Sequence, residues 1–355
     1  MQIRNIKKKY LPLVIVTCIS LLAFTYKLGS WSKMLFDESI YFEVAKNFLR
    51  SHQFLDMYYA NTLWFEKPPL YMWVSSTLMS VFGSSPTIER LPSAIFGSLL
   101  VGVVYIIAYK LYDIKTALVS SLILIFSGPF YFRTRQGTLD VMLCLFIFLG
   151  VYFYLKAKEN SRFWYLFGLS FGLGLMTKGF AAIPLLLAVI VDLLVDRKFT
   201  TTLKKAEFYL GLQIAVLIAL PWHLYSYARY KDVFIASYLS KHIIYRTFNV
   251  MEGHFQPWYF YIKMLVKYYI PWNMILLPTA YLMIKKRNYF NLDHSKILLI
   301  LGSIILLIYS FFVKTKIFQY ILPIIPILAI FIARTILCLI DNYLPKIKTE
   351  NISQN

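Results

Sequence analysis

Two short blocks carry charged side chains into an otherwise apolar stretch of chain: Phe36-Asp37-Glu38 and Phe65-Glu66-Lys67-Pro68-Pro69. Carboxylates beside apolar segments lose hydration energy unless they face water or a partner, so both blocks are candidate parts of a site. In the second block the prolines remove two backbone donors and hold Lys67 out of helical geometry. A carboxylate and an ammonium group on stiff, extended backbone suit fixed recognition of a phosphate or a metal. The alternative is a turn at the membrane surface with an exposed ion pair, worth less than about 1 kcal/mol. Asp37 and Glu38 are neighbours and point about 100° apart if helical. One of them is then expected to face a reaction centre while the other caps a helix starting at Ser39.

The elements that must position these groups follow from composition. Of 355 residues, 59% are hydrophobic and only 15% charged, against about 25% charged in soluble domains. Apolar runs recur near 10–28, 91–109, 116–132, 140–155, 163–177, 180–195, 206–224, 268–284, 297–313 and 317–340, each close to the roughly 20 residues that cross a bilayer. Lipid-facing backbone must satisfy its own hydrogen bonds, so the expected fold class is an all-α polytopic membrane protein of about ten transmembrane helices. The net charge of +20 resides largely in short segments between the runs, where it reads as a topology signal rather than a nucleic-acid surface, and no nucleic-acid partner is expected.

Arg4 to Lys9, Lys110/Lys115, Lys156/Lys158/Arg162, Arg197 to Lys205, Lys285/Lys286/Arg287/Lys296 and Lys346/Lys348 occupy alternate loops and ends. The positive-inside rule makes these cytoplasmic, with both termini inside. The opposite, extracytoplasmic face receives two long segments, near 29–90 and 225–267. The first holds Asp37, Glu38, Glu43, Asp56, Glu66 and Glu89, six of the 17 acidic residues. Residues 1–29 read as an uncleaved signal anchor, 30–340 as a transmembrane domain with its long outer loops and 341–355 as a short cytoplasmic tail. Cys18, Cys144 and Cys338 all lie in expected spans without metal spacing, and read as packed small hydrophobes.

Both long segments carry the pattern of juxtamembrane helices. From Ser39 to Arg50, Glu43, Lys46, Asn47 and Arg50 share one face and Ile40, Val44 and Phe48 another. Ile235, Tyr238, Leu239, His242 and Arg246 fall at i, i+3, i+4, i+7 and i+11, which aims His242 and Arg246 the same way. Positive charge on the outer face is unusual, yet Lys67, Arg90, Arg133, Arg135, Lys178, Arg246, Lys314 and Lys316 all fall there. A phosphorylated lipid headgroup accounts for several of these, and snorkelling for others. His242, His254 and Glu66 are candidates for a divalent metal, although His-x11-His has no specific metal spacing.

With these residues in hand, the chain resembles the bacterial membrane glycosyltransferases related to protein O-mannosyltransferases and to the lipid A aminoarabinose transferase, of the GT-C fold. The resemblance is carried by Phe36-Asp37-Glu38, Phe65-Glu66-Lys67-Pro68-Pro69-Leu70, Glu89-Arg90-Leu91-Pro92-Ser93-Ala94, Thr138-Leu139-Asp140, Thr177-Lys178-Gly179, Pro221-Trp222, Gly253-His254, Pro257-Trp258-Tyr259 and Lys314-Thr315-Lys316 with Tyr320-Ile321-Leu322-Pro323. It implies an inverting transfer of sugar from a polyprenyl-phosphate donor, in an outward cavity beneath membrane-surface helices. The acceptor that the resemblance implies is a lipid, a glycan or a protein.

Asp37 matches the family's loop acid, the general base or acceptor-orienting carboxylate. Glu66 matches the second acid, which lies beside a bound metal in relatives, and His242 falls near a metal-ligating histidine. Lys67 and Arg246 match the residues that hold the lipid phosphate. Glu38, Arg90, Asp140, Lys178, His254 and Lys316 are secondary candidates. Ile40 stands where a basic residue often follows the loop acid by three positions, and the large carboxyl-terminal extracytoplasmic domain of longer relatives is expected to be missing. A transporter or flippase of a lipid-linked substrate is the main rival, and a non-catalytic lipid scaffold a third reading. Transporters tend to place charge at the bilayer midplane and to repeat their halves, whereas here the polar residues sit in two outer loops.

Overall fold

The computed structural model describes residues 2–30, 34, 36–250, 253 and 255–352, with side chains from Tyr10 to Asn342. The chain is all-α, as its apolar runs require. A first helix, α1 (Gln2–Thr25), leads to α2 (Phe36–Ser51), a two-stranded hairpin β1 (Tyr58–Tyr59) and β2 (Thr62–Leu63), and α3 (Leu70–Phe82). A bundle follows: α4 (Pro86–Leu111), α5 (Ile114–Ile125), α6 (Gly128–Thr134), α7 (Asp140–Ala157), α8 (Phe163–Lys178), α9 (Ile183–Val195), the short α10 (Phe199–Thr202) and α11 (Ala206–Phe234). After a wide-turn π-helical segment, Ile235–Tyr245, come α12 (Arg246–Phe248), α13 (Phe260–Tyr268), α14 (Leu276–Lys285), α15 (Leu292–Leu307) and α16 (Ile324–Ile352).

Among the described residues, seven stretches are long and apolar enough to cross a bilayer, and α5 with α6, bent by 67°, makes an eighth. The difference from ten has two sources. The run Phe163–Val195 reverses at Lys178-Gly179. Lys178, at the end of α8, pairs with Asp140 at the start of α7, whereas Asp196, just past α9, meets Lys158 just past α7 at 3.2 Å. The run is therefore two antiparallel passes, as expected. The expected span at 268–284 is instead broken between α13 and α14, where Pro271 precedes a 3-10 turn, Trp272–Ile275. Proline removes a helical donor and clashes with the preceding turn, and window-averaged hydropathy does not register either effect.

Close backbone approach holds the bundle together. Gly168 and Gly172 on α8 meet Gly211 and Ala215 on α11, and a Cβ built on Gly168 lies 1.8 Å from the Gly211 carbonyl oxygen. Small residues four apart let helices touch in lipid, where hydrophobic association is absent. Leu22, Leu217, Met274 and Leu277 are 70–82% exposed, a surface that a bilayer rather than water solvates.

Ion pairs divide between the two ends of the bundle. Lys110–Glu159, Lys158–Asp192, Lys296–Asp196 and Arg334–Asp113 lie at the end where α4, α7 and α9 finish. The other end receives α2, the hairpin and the π-helical segment. There Arg135 closes α1: its Nη1 donates to the carbonyls of Ala23, Phe24 and Tyr26, at 3.2, 3.2 and 2.6 Å. Helix ends leave such carbonyls without internal partners, and a guanidinium is a multidentate donor for them.

Candidate functional site

On α2 the apolar stripe does what its spacing requires: Ile40, Val44 and Phe48 are buried while Glu43, Lys46, Asn47 and Arg50 stay partly or fully exposed. Lys46 pairs with Glu89 at 2.6 Å and Arg50 with Glu43 at 3.0 Å. On this helix the two neighbouring acids point about 100° apart and take different surroundings. Asp37 is half-buried and lines a cavity of about 280 Å³. Glu38 points into the protein, where its Oε1 accepts from Arg90 Nε at 2.9 Å and from the Gly137 N–H at 2.7 Å. Both partners of this ion pair are 1% exposed. Glu38 and Arg90 thus tie α2 to α4 and to the segment before α7, and neither lines the cavity. The expected division between neighbours is present, but the second acid binds a buried arginine instead of capping the helix.

The hairpin delivers the second block. Ala60 and Asn61 both take positive φ, 49° and 59°, the conformation of a tight two-residue hairpin turn. The Trp64 N–H bonds to Met57 O at 2.8 Å, and buried Phe65 packs against Tyr230 and Phe234, each at 5.3 Å between ring centres. Glu66 and Lys67 are left on the cavity wall, followed by buried Pro68 and Pro69 at the start of α3. Lys67 Nζ donates to the Glu66 carbonyl at 3.0 Å. Dense packing, reinforced by the Arg246 guanidinium, lowers its ammonium group to about 8. Burial, then the Asp37 carboxylate, holds the neighbouring Tyr41 phenol well above its ordinary range.

The opposite wall is the π-helical segment. Lys231 takes φ 37° and turns the chain out of the α11 direction. The wide turns that follow place Tyr238, His242, Ile243, Arg246 and Thr247 along the cavity, so His242 and Arg246 face the same way. Such i→i+5 turns recur at functional sites. The Lys314 N–H bonds to Thr247 O at 2.9 Å and docks the far end of this wall. His242 Nε2 lies 3.6 Å from Glu66 Oε1, and the imidazole is 5% exposed.

Lys178 completes the cationic lining. It pairs with Asp140, which Arg133 also approaches at 3.7 Å, and lies 5.4 Å from the Tyr320 ring centre. Asp140 borders a small adjoining void with Tyr309 and Tyr320. Lys316 does not reach the cavity lining: it is 6% exposed, donates to Val313 O at 3.2 Å, and burial lowers its ammonium group. His254 lies outside the described residues. Other positions of the sequence blocks are scaffold. Ser93 Oγ donates to Thr138 O at 2.9 Å and lies 3.0 Å from Tyr71 Oη, joining α3, α4 and the entry to α7.

One cavity therefore collects Asp37, Glu66, Lys67, Lys178, His242 and Arg246. The aromatic lining, Tyr41, Tyr238, Tyr309 and Tyr320, was not singled out by sequence reasoning, although Tyr238 and Tyr320 fell within the quoted patterns. Among the described residues no three His, Cys, Asp or Glu side chains form a metal cluster. The Glu66–His242 pair alone fits a two-ligand arrangement. Their 3.6 Å separation is one that a single cation spans with bonds of about 2.0–2.1 Å, and His242 Nδ1 is buried without a hydrogen-bond partner among the described residues.

The family model described as dolichyl-phosphate-mannose-protein mannosyltransferase matches residues 66–225. An undecaprenyl phosphate-alpha-4-amino-4-deoxy-L-arabinose arabinosyl transferase of Erwinia tasmaniensis is 29% identical over 305 residues, covering 84% of this chain and 54% of that protein. A second from Pseudomonas fluorescens is 28% identical over 288 residues, covering 78% and 50%. An uncharacterised protein of Aquifex aeolicus is 29% identical over 331 residues, covering 92% and 63%. The crystal structure of ArnT from Cupriavidus metallidurans bound to undecaprenyl phosphate superposes with a TM-score of 0.79 at 21% identity, over 91% of this chain and 59% of that one.

The chain has the GT-C fold. An archaeal oligosaccharyltransferase from Archaeoglobus fulgidus shares it more distantly, with a TM-score of 0.59 at 14% identity over 95% of this chain and 50% of that one. The chain spans about half the length of the curated relatives it matches, between 45% and 63%. Within the GT-C fold, α2 and the π-helical segment are the surface elements that enclose the cavity.

Proposed function

We propose that this protein transfers a sugar from a polyprenyl-phosphate donor to a hydroxyl of a lipid, glycan or protein, with inversion, at the outer face of the cytoplasmic membrane. The observation that carries this reading is the single cavity in which two carboxylates, three cationic side chains and a histidine meet at one end of an apolar bundle. The loops rich in Lys and Arg lie at the opposite end, which supports cytoplasmic termini and an extracytoplasmic cavity. Relatives described as undecaprenyl-phosphate sugar transferases support the same chemistry.

In this reading Lys67 and Arg246 hold the donor phosphate. The acceptor oxygen attacks the anomeric carbon, the bond from that carbon to the phosphate oxygen breaks, and its electron pair leaves on the phosphate. Fixed cations at the leaving oxygen favour that charge separation without reorganisation. Asp37 takes the proton from a hydroxyl acceptor. Glu66 and His242 are the residues to hold a divalent cation, whose contribution when bound is additional positive charge at the phosphate. Lys178, neutralised by Asp140, borders the space left for the sugar.

The test is transfer of radiolabelled sugar from undecaprenyl-phosphate mannose, glucose and 4-amino-4-deoxyarabinose into lipid and protein fractions of membranes from a strain lacking the protein. Lys67→Ala and Arg246→Ala are each expected to lose about 10²-fold or more, by analogy with removal of one oxyanion donor, with expression unchanged. Wild-type turnover in both variants overturns the assignment.

A further inference from the structure

His223 lies outside the cavity lining yet is built into its wall. It follows Pro221-Trp222 on α11, and its ring packs 4.9 Å from Trp222 and 5.3 Å from Tyr238. Nδ1 lies 2.7 Å from the Ala219 carbonyl oxygen, one turn back, and Nε2 lies 3.1 Å from the Tyr238 hydroxyl oxygen. A carbonyl only accepts, so Nδ1 carries the proton. In neutral imidazole Nε2 is then the acceptor, and Tyr238 must donate its single hydroxyl hydrogen to it.

That leaves the Tyr238 oxygen with lone pairs but no hydrogen free to donate elsewhere. Among the described residues it makes no other hydrogen bond, and Tyr238 lines the cavity. The oxygen rests on the backbone of Gly179, beside Lys178. A Cβ at Gly179 lies 2.6 Å from it, and Gly179 also takes φ +57°. Glycine is required there twice over, by backbone conformation and by the tyrosine hydroxyl. The glycine of Thr177-Lys178-Gly179 and the residue after Pro221-Trp222 thereby serve one feature.

We propose that His223 is a positioning residue that fixes the Tyr238 hydroxyl as an obligate hydrogen-bond acceptor on the cavity wall, where it takes a hydroxyl or amino hydrogen of the transferred sugar. This rests on the glycosyl-transfer reading and adds to it a specificity contact. The contact favours a sugar that presents a donor next to Lys178 and disfavours one that presents only an ether or carbonyl there. An unmatched acceptor buried against the ligand costs the desolvation of both groups.

The experiment compares binding of bare undecaprenyl phosphate with binding of undecaprenyl-phosphate mannose, glucose and 4-amino-4-deoxyarabinose, by calorimetry on purified protein in nanodiscs. Tyr238→Phe and His223→Leu are expected to bind bare undecaprenyl phosphate as the wild type does. Both should bind the preferred sugar-bearing donor about 3- to 10-fold more weakly, the worth of one neutral hydrogen bond. The double variant should be no worse than either single variant, because both remove the same contact. His223→Gln, whose amide donates to Ala219 and accepts from Tyr238, should restore binding. Wild-type selectivity for the sugar that survives Tyr238→Phe unchanged overturns the inference while leaving the transferase reading standing. A wild-type protein that binds bare undecaprenyl phosphate as tightly as every sugar-bearing donor likewise overturns the inference, whereas only the absence of sugar transfer from all three donors overturns the transferase reading.

Discussion

Asp37 and Glu38 are adjacent acids with opposite consequences on removal, which makes them the sharpest test of the site. Glu38→Gln keeps shape and one acceptor oxygen but leaves the Arg90 guanidinium charged at 1% exposure. Breaking a buried pair from one side costs about 3–5 kcal/mol, because the surviving charge loses its counter-ion. The variant should therefore show a thermal midpoint in detergent lower by roughly 5–10 °C, with activity per folded molecule largely retained. Asp37, by contrast, makes no ion pair among the described residues and is half-buried on the cavity. Asp37→Asn should leave the midpoint within about 1 °C, a surface-like effect. It should lower sugar transfer to a hydroxyl acceptor by about 10²–10⁴-fold, the range for a positioned general base. The assay pairs a thermal melt with radiolabelled transfer normalised to folded protein. An Asp37→Asn protein that is unstable but fully active per folded molecule would refute the catalytic assignment. A Glu38→Gln protein with an unchanged midpoint would refute the structural one.

Three further outcomes follow from the same coordinates. Lys67, lowered to about 8 by burial and by Arg246, is charged below that pH and loses its proton above it. Donor kcat/KM should then fall as pH rises through about 8, and Lys67→Arg should move the fall to much higher pH; a flat profile to pH 10 in the wild type contradicts it. In a background without the native cysteines, Gln53→Cys and Asn61→Cys should react with an impermeant thiol reagent added outside intact cells, and Asn160→Cys and Asn288→Cys should not. All four positions are exposed, and the reverse pattern would place the cavity in the cytoplasm. Gly168→Ala sets a Cβ 1.8 Å from the Gly211 carbonyl oxygen, so α8 and α11 must separate. A loss of about 1–3 kcal/mol, typical of overpacking, should appear as a lower thermal midpoint, and an unchanged midpoint would show that the helices do not touch there.

Much of this arrangement was legible in the sequence because charge is so expensive in an apolar chain. Loops near 29–90 and 225–267 were expected to hold the polar groups, and Asp37, Glu66, Lys67, His242 and Arg246 do meet in one cavity. What stayed hidden depends on distant partners. Whether Asp37 or Glu38 turns inward is decided by Arg90, 52 positions along the chain, and nothing local to the two acids encodes it. The Gly168/Gly172 and Gly211/Ala215 spacings were visible but carried no weight until two helices could be named as neighbours. The broken pass at α13–α14 was marked by Pro271, a single residue that a hydropathy window dilutes.

Positive charge serves two different ends in this chain, and the structure separates them. Lysines at the finish of α4 and α7 are met by Glu159, Asp192 and Asp196 in ion pairs that join neighbouring helix ends. Those of the cavity are balanced differently: Lys178 by Asp140 within the wall, whereas Lys67 and Arg246 oppose one another, since the guanidinium is one of the causes that lower the Lys67 ammonium. The carboxylates of Glu66 and Asp37 act on Lys67 in the opposite sense, so the cavity sets its cations against each other and against its acids at once. On the proposed function a phosphate held by Lys67 and Arg246 turns the repulsion between them into shared attraction to one anion, so donor binding would draw on repulsion relieved as well as on attraction gained.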